Sequence, residues 1–137
     1  LRRTLHRHLT RSLAHRTPRS FLELRALRAV EREHLHTQVA LSERLLVDTA
    51  AVSRLVAKLE QDGLLARQPG EDRRCVHLEV TAAGRAQLRV LEAELGALDT
   101  RVRKHLTPEE ARTLSRLLEK LHEGLRAREP QPPRREV

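Results

Sequence analysis

Residues 37–81 read TQVALSERLLVDTAAVSRLVAKLEQDGLLARQPGEDRRCVHLEVT, and the fold turns on how this stretch is punctuated. Thr37 is a candidate N-cap for a short helix carrying Val39, Leu41 and Leu45. Its side-chain oxygen suits the amides that a first helical turn leaves without partners. The pattern breaks at Leu46-Val47, and Asp48 is a second N-cap candidate. The helix after it sets Val52, Leu55, Val56 and Leu59 on one side, and Gly63 stops it where a positive φ is needed. Two helices joined by a turn of a few residues make a helix-turn-helix. The period then changes from helical to alternating. Residues 64–68 predict a strand, Pro69-Gly70-Glu71-Asp72 a turn, and residues 75–80 a second strand in which Val76, Leu78 and Val80 alternate with Cys75, His77 and Glu79. A hairpin directly after a helix-turn-helix is a wing.

Helices are predicted on both sides of this module. Leu1, Leu5, Leu9 and Leu13 form one stripe over residues 1–16, and Thr17-Pro18 interrupts it. A second helix starts at Ser20, carries Leu22, Leu24, Leu27 and Val30, and loses its pattern around His34-Leu35-His36. Beyond the wing, Thr81 caps a long helix whose Leu88, Leu91, Leu95, Leu98 and Val102 follow a heptad-like seam. Thr107-Pro108-Glu109-Glu110 combines an N-cap, a first-turn proline and a capping-box acid. The helix it opens carries Leu114, Leu117, Leu118, Leu121 and Leu125. The proline-rich stretch after Glu129 cannot be helical and predicts a flexible tail.

The expected fold is mainly α (α+β), a winged helix-turn-helix with flanking dimerisation helices. Its parts are an N-terminal dimerisation helix and following helix (1–36), the DNA-binding module (37–81), long C-terminal dimerisation helices (82–128) and the tail (129–137). The leucine seams exceed what so small a module needs to cover, which predicts a homodimer.

With Phe21 as the only aromatic, the core must be built from leucine, valine and alanine, a composition suited to helix packing. The formal net charge is +8, which favours a polyanionic partner. Much of that excess lies in residues 1–20, where Arg2, Arg3, Arg7, Arg11, Arg16 and Arg19 stand with no acid. A lone cysteine excludes an internal disulfide and fits a reducing, cytoplasmic setting. No apolar run reaches membrane-spanning length and no signal peptide is evident. The chain begins at Leu1 rather than a methionine, so residues are expected before it. A glycine-rich phosphate loop, a nucleophile elbow and a convincing metal motif are all missing from the sequence, so an enzyme is not expected.

The run Val52-Ser53-Arg54-Leu55-Val56, followed by residues 59–67, Asp72-Arg73-Arg74 and Val80-Thr81-Ala82-Ala83-Gly84, resembles the MarR family of bacterial transcriptional regulators. That resemblance implies a homodimeric, cytoplasmic DNA-binding protein, usually a repressor, acting on palindromic sites in double-stranded DNA. The helix from Thr49 would enter the major groove, and the wing the adjacent minor groove. Both placements agree with groove dimensions and with the pull of a narrow minor groove on arginine. Thr49, Ala50, Ala51, Ser53 and Arg54 would face DNA, and Lys58 would meet a phosphate. Thr37 and Gln38 would offer donors to a phosphate. Arg73 and Arg74 would serve the wing, with Arg74 inserted and Asp72 as support. The family usually has small polar residues where this chain has Ala50 and Ala51. Base readout then leans on Arg54, on thymine-methyl contact and on DNA shape.

Three sensing schemes are open to such a chain. Family regulators often bind small aromatic acids between the dimer helices and the winged lobe, which makes His8, Arg16, Arg19 and His34 candidate carboxylate partners. Zinc held by His34, His36 and His105 is disfavoured, because the zinc-sensing branch draws two histidines a turn apart from the long helix and this chain offers only His105. A redox switch at Cys75 is disfavoured as well: peroxide-sensing relatives carry their cysteine in the first helix, and residues 1–16 have none. No cofactor is expected. The rival outside the regulators is an architectural DNA binder without sequence preference.

Overall fold

A computed structural model describes residues 1–70 and 76–126. Its elements are α1 (Arg2–Ala14), α2 (Phe21–Glu33), α3 (Gln38–Leu45), α4 (Thr49–Gln61), β1 (Leu65–Pro69), β2 (Val76–Val80), α5 (Ala82–Arg103) and α6 (Pro108–Arg126). They fall into two compact units, residues 1–96 and 97–137. The first unit holds the winged module, and the order helix, helix, helix, helix, hairpin is the one the sequence predicts.

Local chemistry sets the boundaries. Ser20 caps α2 through a reciprocal capping box: its hydroxyl accepts from the Glu23 amide at 3.1 Å, and its own amide donates to the Glu23 carboxylate at 2.6 Å. Thr37 accepts from Ala40 at 3.2 Å and Asp48 from Ala51 at 2.7 Å, which starts α3 and α4 where expected. Thr107 and Glu110 form a second capping box at α6. Left-handed residues end the helices at His34 (φ 55°), at Leu46 (φ 55°) and just beyond α4 at Gly63 (φ 72°). Only the glycine adopts that conformation without a Cβ penalty.

The core of the first unit lies around α2. Leu24, Ala26, Leu27, Ala29 and Val30 are all buried, together with Leu41 and Leu45 of α3, and Val52, Val56 and Leu59 of α4. From the hairpin and α5, Leu78, Val80, Leu88 and Leu91 complete it. Only part of the expected N-terminal stripe takes part: Leu9 and Leu13 are buried, whereas Leu1 is exposed. Val76 also departs from the alternation. It pairs with Pro69 at the far end of the ladder and stays exposed, while Leu78 and Val80 reach the core. The first strand begins one residue later than predicted, because the Leu64 amide is taken by the Leu59 carbonyl at 2.8 Å as α4 closes.

In the second unit, every leucine of the α6 pattern is exposed, from Leu114 (46%) to Leu125 (70%). The predicted seam is present, and no residue of α6 is buried.

The junction of wing and α5 explains the Thr81-x-x-Gly84 pattern. Thr81 donates its amide to the Leu64 carbonyl at 3.1 Å and its hydroxyl to the Gly63 carbonyl at 2.6 Å. The same hydroxyl accepts from the Gly84 amide at 3.1 Å, capping α5. Gly84 is buried so closely against this turn that a Cβ would overlap the Leu64 carbonyl oxygen and sit 2.7 Å from Val80 Cγ1. Gly84→Ala is therefore expected to destabilise the chain by about 1–3 kcal/mol, the usual cost of overpacking. Urea titration followed by far-UV circular dichroism checks it, and an unchanged midpoint would contradict the packing described.

Candidate nucleic-acid interface

Helix α4 divides cleanly. Val52, Val56 and Leu59 are buried, while Thr49, Ala50, Ser53, Arg54 and Lys58 are exposed. Burial of one face fixes the helix rotation, so the opposite face presents Thr49, Ala50, Ser53 and Arg54 to solvent as a group. Ala51 is half-buried, and its amide is occupied by the Asp48 cap. Thr37 is exposed at the start of α3 and Gln38 half-buried after it. The Thr37 hydroxyl accepts from the Ala40 amide and so keeps its own hydrogen available as a donor.

Lys58 has a partner within the chain. Its ammonium lies 2.6 Å from Glu23 Oε1, so it pairs with a buried carboxylate. Glu23 is thus shared between two elements, since it also closes the Ser20 box at the start of α2. Burial pushes the Glu23 carboxyl up. The hydrogen bond and charge of Lys58 and the Ser20 amide and hydroxyl outweigh burial, and hold it below the usual carboxylate value. Arg19 extends the network: it bonds Asp62, the C-cap of α4, and lies 3.9 Å from Glu23. The two ends of α4's last two turns are thereby tied to the N-terminus of α2.

The wing strands pair antiparallel from Leu65↔Val80 to Pro69↔Val76. Arg67 points to solvent from β1 but gives its Nε to both oxygens of Glu60, at 2.9 and 2.8 Å. Asp72, Arg73, Arg74 and Cys75, which carry the expected wing contact and the candidate thiol, lie outside the described residues.

Of the four candidate effector partners, His8 and Arg16 both lie near Glu94, whereas Arg19 and His34 are placed elsewhere. Arg16 bonds Glu94 of α5, which also accepts from the Ser12 hydroxyl. Those two hydrogen bonds, with the charges of Arg16 and His8, overcome burial and hold the Glu94 carboxyl low. Arg19 is engaged with Asp62, and His34 forms the C-cap at the other end of α2. A different basic groove does exist in the first unit, about 1000 Å³ in volume, where Arg2, Arg3, Arg7, Arg11 and Arg25 surround Phe21. There the His6 and Phe21 rings meet edge to face, 5.2 Å apart. His34 and His36 are 6.1 Å apart by ring centroid, and His36 is stacked on His77. Among the described residues no group of three His, Cys, Asp or Glu side chains is placed to hold a metal ion.

Two features of this interface were not found by reading the sequence. Ser20-Phe-Leu-Glu23 is a capping-box pattern and was open to recognition. The Glu23–Lys58 pair joins residues far apart along the chain and has no local signal.

The model of the MarR family matches residues 17–74. No curated protein sequence matches the chain. Among solved structures, wild-type MarR from E. coli in its apo form is 27% identical, with a TM-score of 0.74 over 88% of this chain and 90% of that one. A mutant E. coli MarR complexed with operator DNA is 27% identical, with a TM-score of 0.70 over 88% and 86%. The transcriptional regulator BldR from Sulfolobus solfataricus is 28% identical, with a TM-score of 0.72 over 91% and 86%. Among the described residues no helix is long and apolar enough to cross a membrane.

The lowered Glu23 and Glu94 carboxyls set the sign of a pH effect. A carboxyl that titrates lower in the folded chain than in the unfolded one adds stability above its unfolded value, near 4.3 for glutamate. That stability is lost as pH falls through the folded value. Glu23→Gln should remove about 1–2 kcal/mol at neutral pH and flatten the loss of stability on acidification. Urea midpoints at several pH values test this, and a neutral-pH midpoint equal to the native one would contradict it.

Proposed function

We propose that the chain is a MarR-family DNA-binding transcription regulator that acts as a homodimer on a two-fold symmetric operator, most simply as a repressor that occupies its site. The observation that carries the reading is the exposed Thr49, Ala50, Ser53 and Arg54 face of α4, held in place by a buried face on the other side. Arg54 is the charged base reader of this face, and Ala50 offers a methyl surface to thymine. Thr37 and Gln38 meet a phosphate at the start of α3. By resemblance, Arg73 and Arg74 supply the minor-groove contact of the wing and Asp72 braces it. No catalytic step belongs to this reading, and its setting is the cytoplasm.

Dimerisation is supported by α6. A row of five exposed leucines on one helix is a surface that water does not favour, and a second copy of the same helix is self-complementary to it. A small-molecule effector is supported by the groove around Phe21, where five arginines and one aromatic ring suit an anionic aromatic ligand. A staphylococcal MarR structure was solved in complex with salicylate and kanamycin.

Selection from a randomised duplex pool should enrich a palindrome with half-sites about one helical turn apart. At physiological salt the chain should prefer that duplex to its scrambled counterpart by roughly a thousandfold or more. Equal affinity would instead indicate an architectural binder. The dimer is tested separately. Leu118→Glu with Leu121→Glu should shift the protein from dimer to monomer in sedimentation equilibrium, and a dimer that survives both charges would place the interface elsewhere.

A further inference from the structure

We infer that the stacked pair His36 and His77 positions the wing on DNA, fixing the angle of the hairpin relative to the start of α3. The inference rests on the reading above, in which both α3 and the wing meet DNA.

Strand β2 has two edges, and β1 occupies only one. At the other, Leu78 donates its amide to the His36 carbonyl at 2.9 Å, and its carbonyl lies 2.8 Å from His36 Nδ1. A carbonyl can only accept, so His36 carries its proton on Nδ1 and donates. The segment between α2 and α3 thus covers the free edge of the wing with one backbone bond and one side-chain bond. Above this pairing the His36 and His77 rings stack, with centroids 3.8 Å apart and planes 21° from parallel. The side chain of His77 lies 40% exposed, 4.0 Å from Glu79. A stack at that exposure adds little to the core, whose share of β2 is carried by Leu78 and Val80.

Its location is what matters. His36 is the residue before Thr37, the N-cap of α3. One side chain therefore couples the hairpin to the helix end that meets a phosphate. Rotation of the wing about its root must break the stack, the Nδ1 bond, or both. Opposing edge and face contacts hold the hairpin more firmly than the two-stranded ladder alone, which is marginal in isolation. His36 and His77 are positioning residues: neither needs to touch DNA.

The test uses the full chain and the duplex that it enriches from a randomised pool, with the sequence under the wing made either A·T-rich or G·C-rich. Fluorescence anisotropy reads affinity, and amide exchange at Leu78 reads the docking of β2. His77→Ala should weaken binding to the A·T form by roughly tenfold, the scale of one lost base-pair contact. It should also lower the A·T over G·C preference and speed exchange at Leu78. His77→Phe, which keeps a ring to stack, should restore all three. Equal losses on both duplexes, or native affinity with native preference in His77→Ala, would overturn the inference while leaving the regulator reading in place. Failure of the native chain to enrich any duplex would overturn that reading and the inference with it.

Discussion

The arrangement of the winged module depends on one buried carboxylate. Glu23 sits at the N-terminus of α2, where it closes a capping box with Ser20 and receives the ammonium of Lys58 from α4. A buried carboxylate is costly unless its oxygens are satisfied. The cost is offset only when α2 begins at Ser20 and α4 lies where Lys58 can reach. The same atoms therefore define the start of α2 and help to place α4. The Arg19–Asp62 bond repeats the link one turn further along α4.

This use of charge changes what the net positive charge means. Arg16 is engaged with Glu94, Arg19 with Asp62, Arg32 with Glu92, Arg44 with Glu33 and Arg67 with Glu60. The exposed pairs among them contribute at most about 1 kcal/mol each to stability. Each pair also leaves one fewer arginine without an acidic partner. The cations of α1, several of them around the Phe21 groove, make up much of the remaining excess. On the proposed reading, affinity for DNA rests on the placement of a few groups, Arg54 foremost, more than on a diffuse positive field.

The wing is seated from both ends. At its base Thr81 joins both strands' ends to α5, and Gly84 allows the helix to approach the Leu64 carbonyl without a side chain between them. At its flank His36 covers the free edge of β2. A two-stranded ribbon has little stability of its own, so its direction is set by these neighbours.

The local rules were legible in the sequence. Caps at Thr37, Asp48, Thr81 and Thr107 mark helix starts because a side-chain oxygen three residues before an amide is a property of neighbours. The stop at Gly63, the period change into the hairpin and the apolar face of α4 follow from the same short-range geometry, and they carry the fold and the exposure of Thr49, Ser53 and Arg54 on one face. What tertiary structure decided is the fate of the long side chains. Nothing local shows that Lys58 pairs with Glu23, a residue far away along the chain. Nor could spacing show that Arg16 and Arg19 are engaged with Glu94 and Asp62, or that His36 stacks on His77. A flexible charged chain takes the partner that folding brings within reach, whereas a cap or a glycine acts on residues that sequence has already placed beside it.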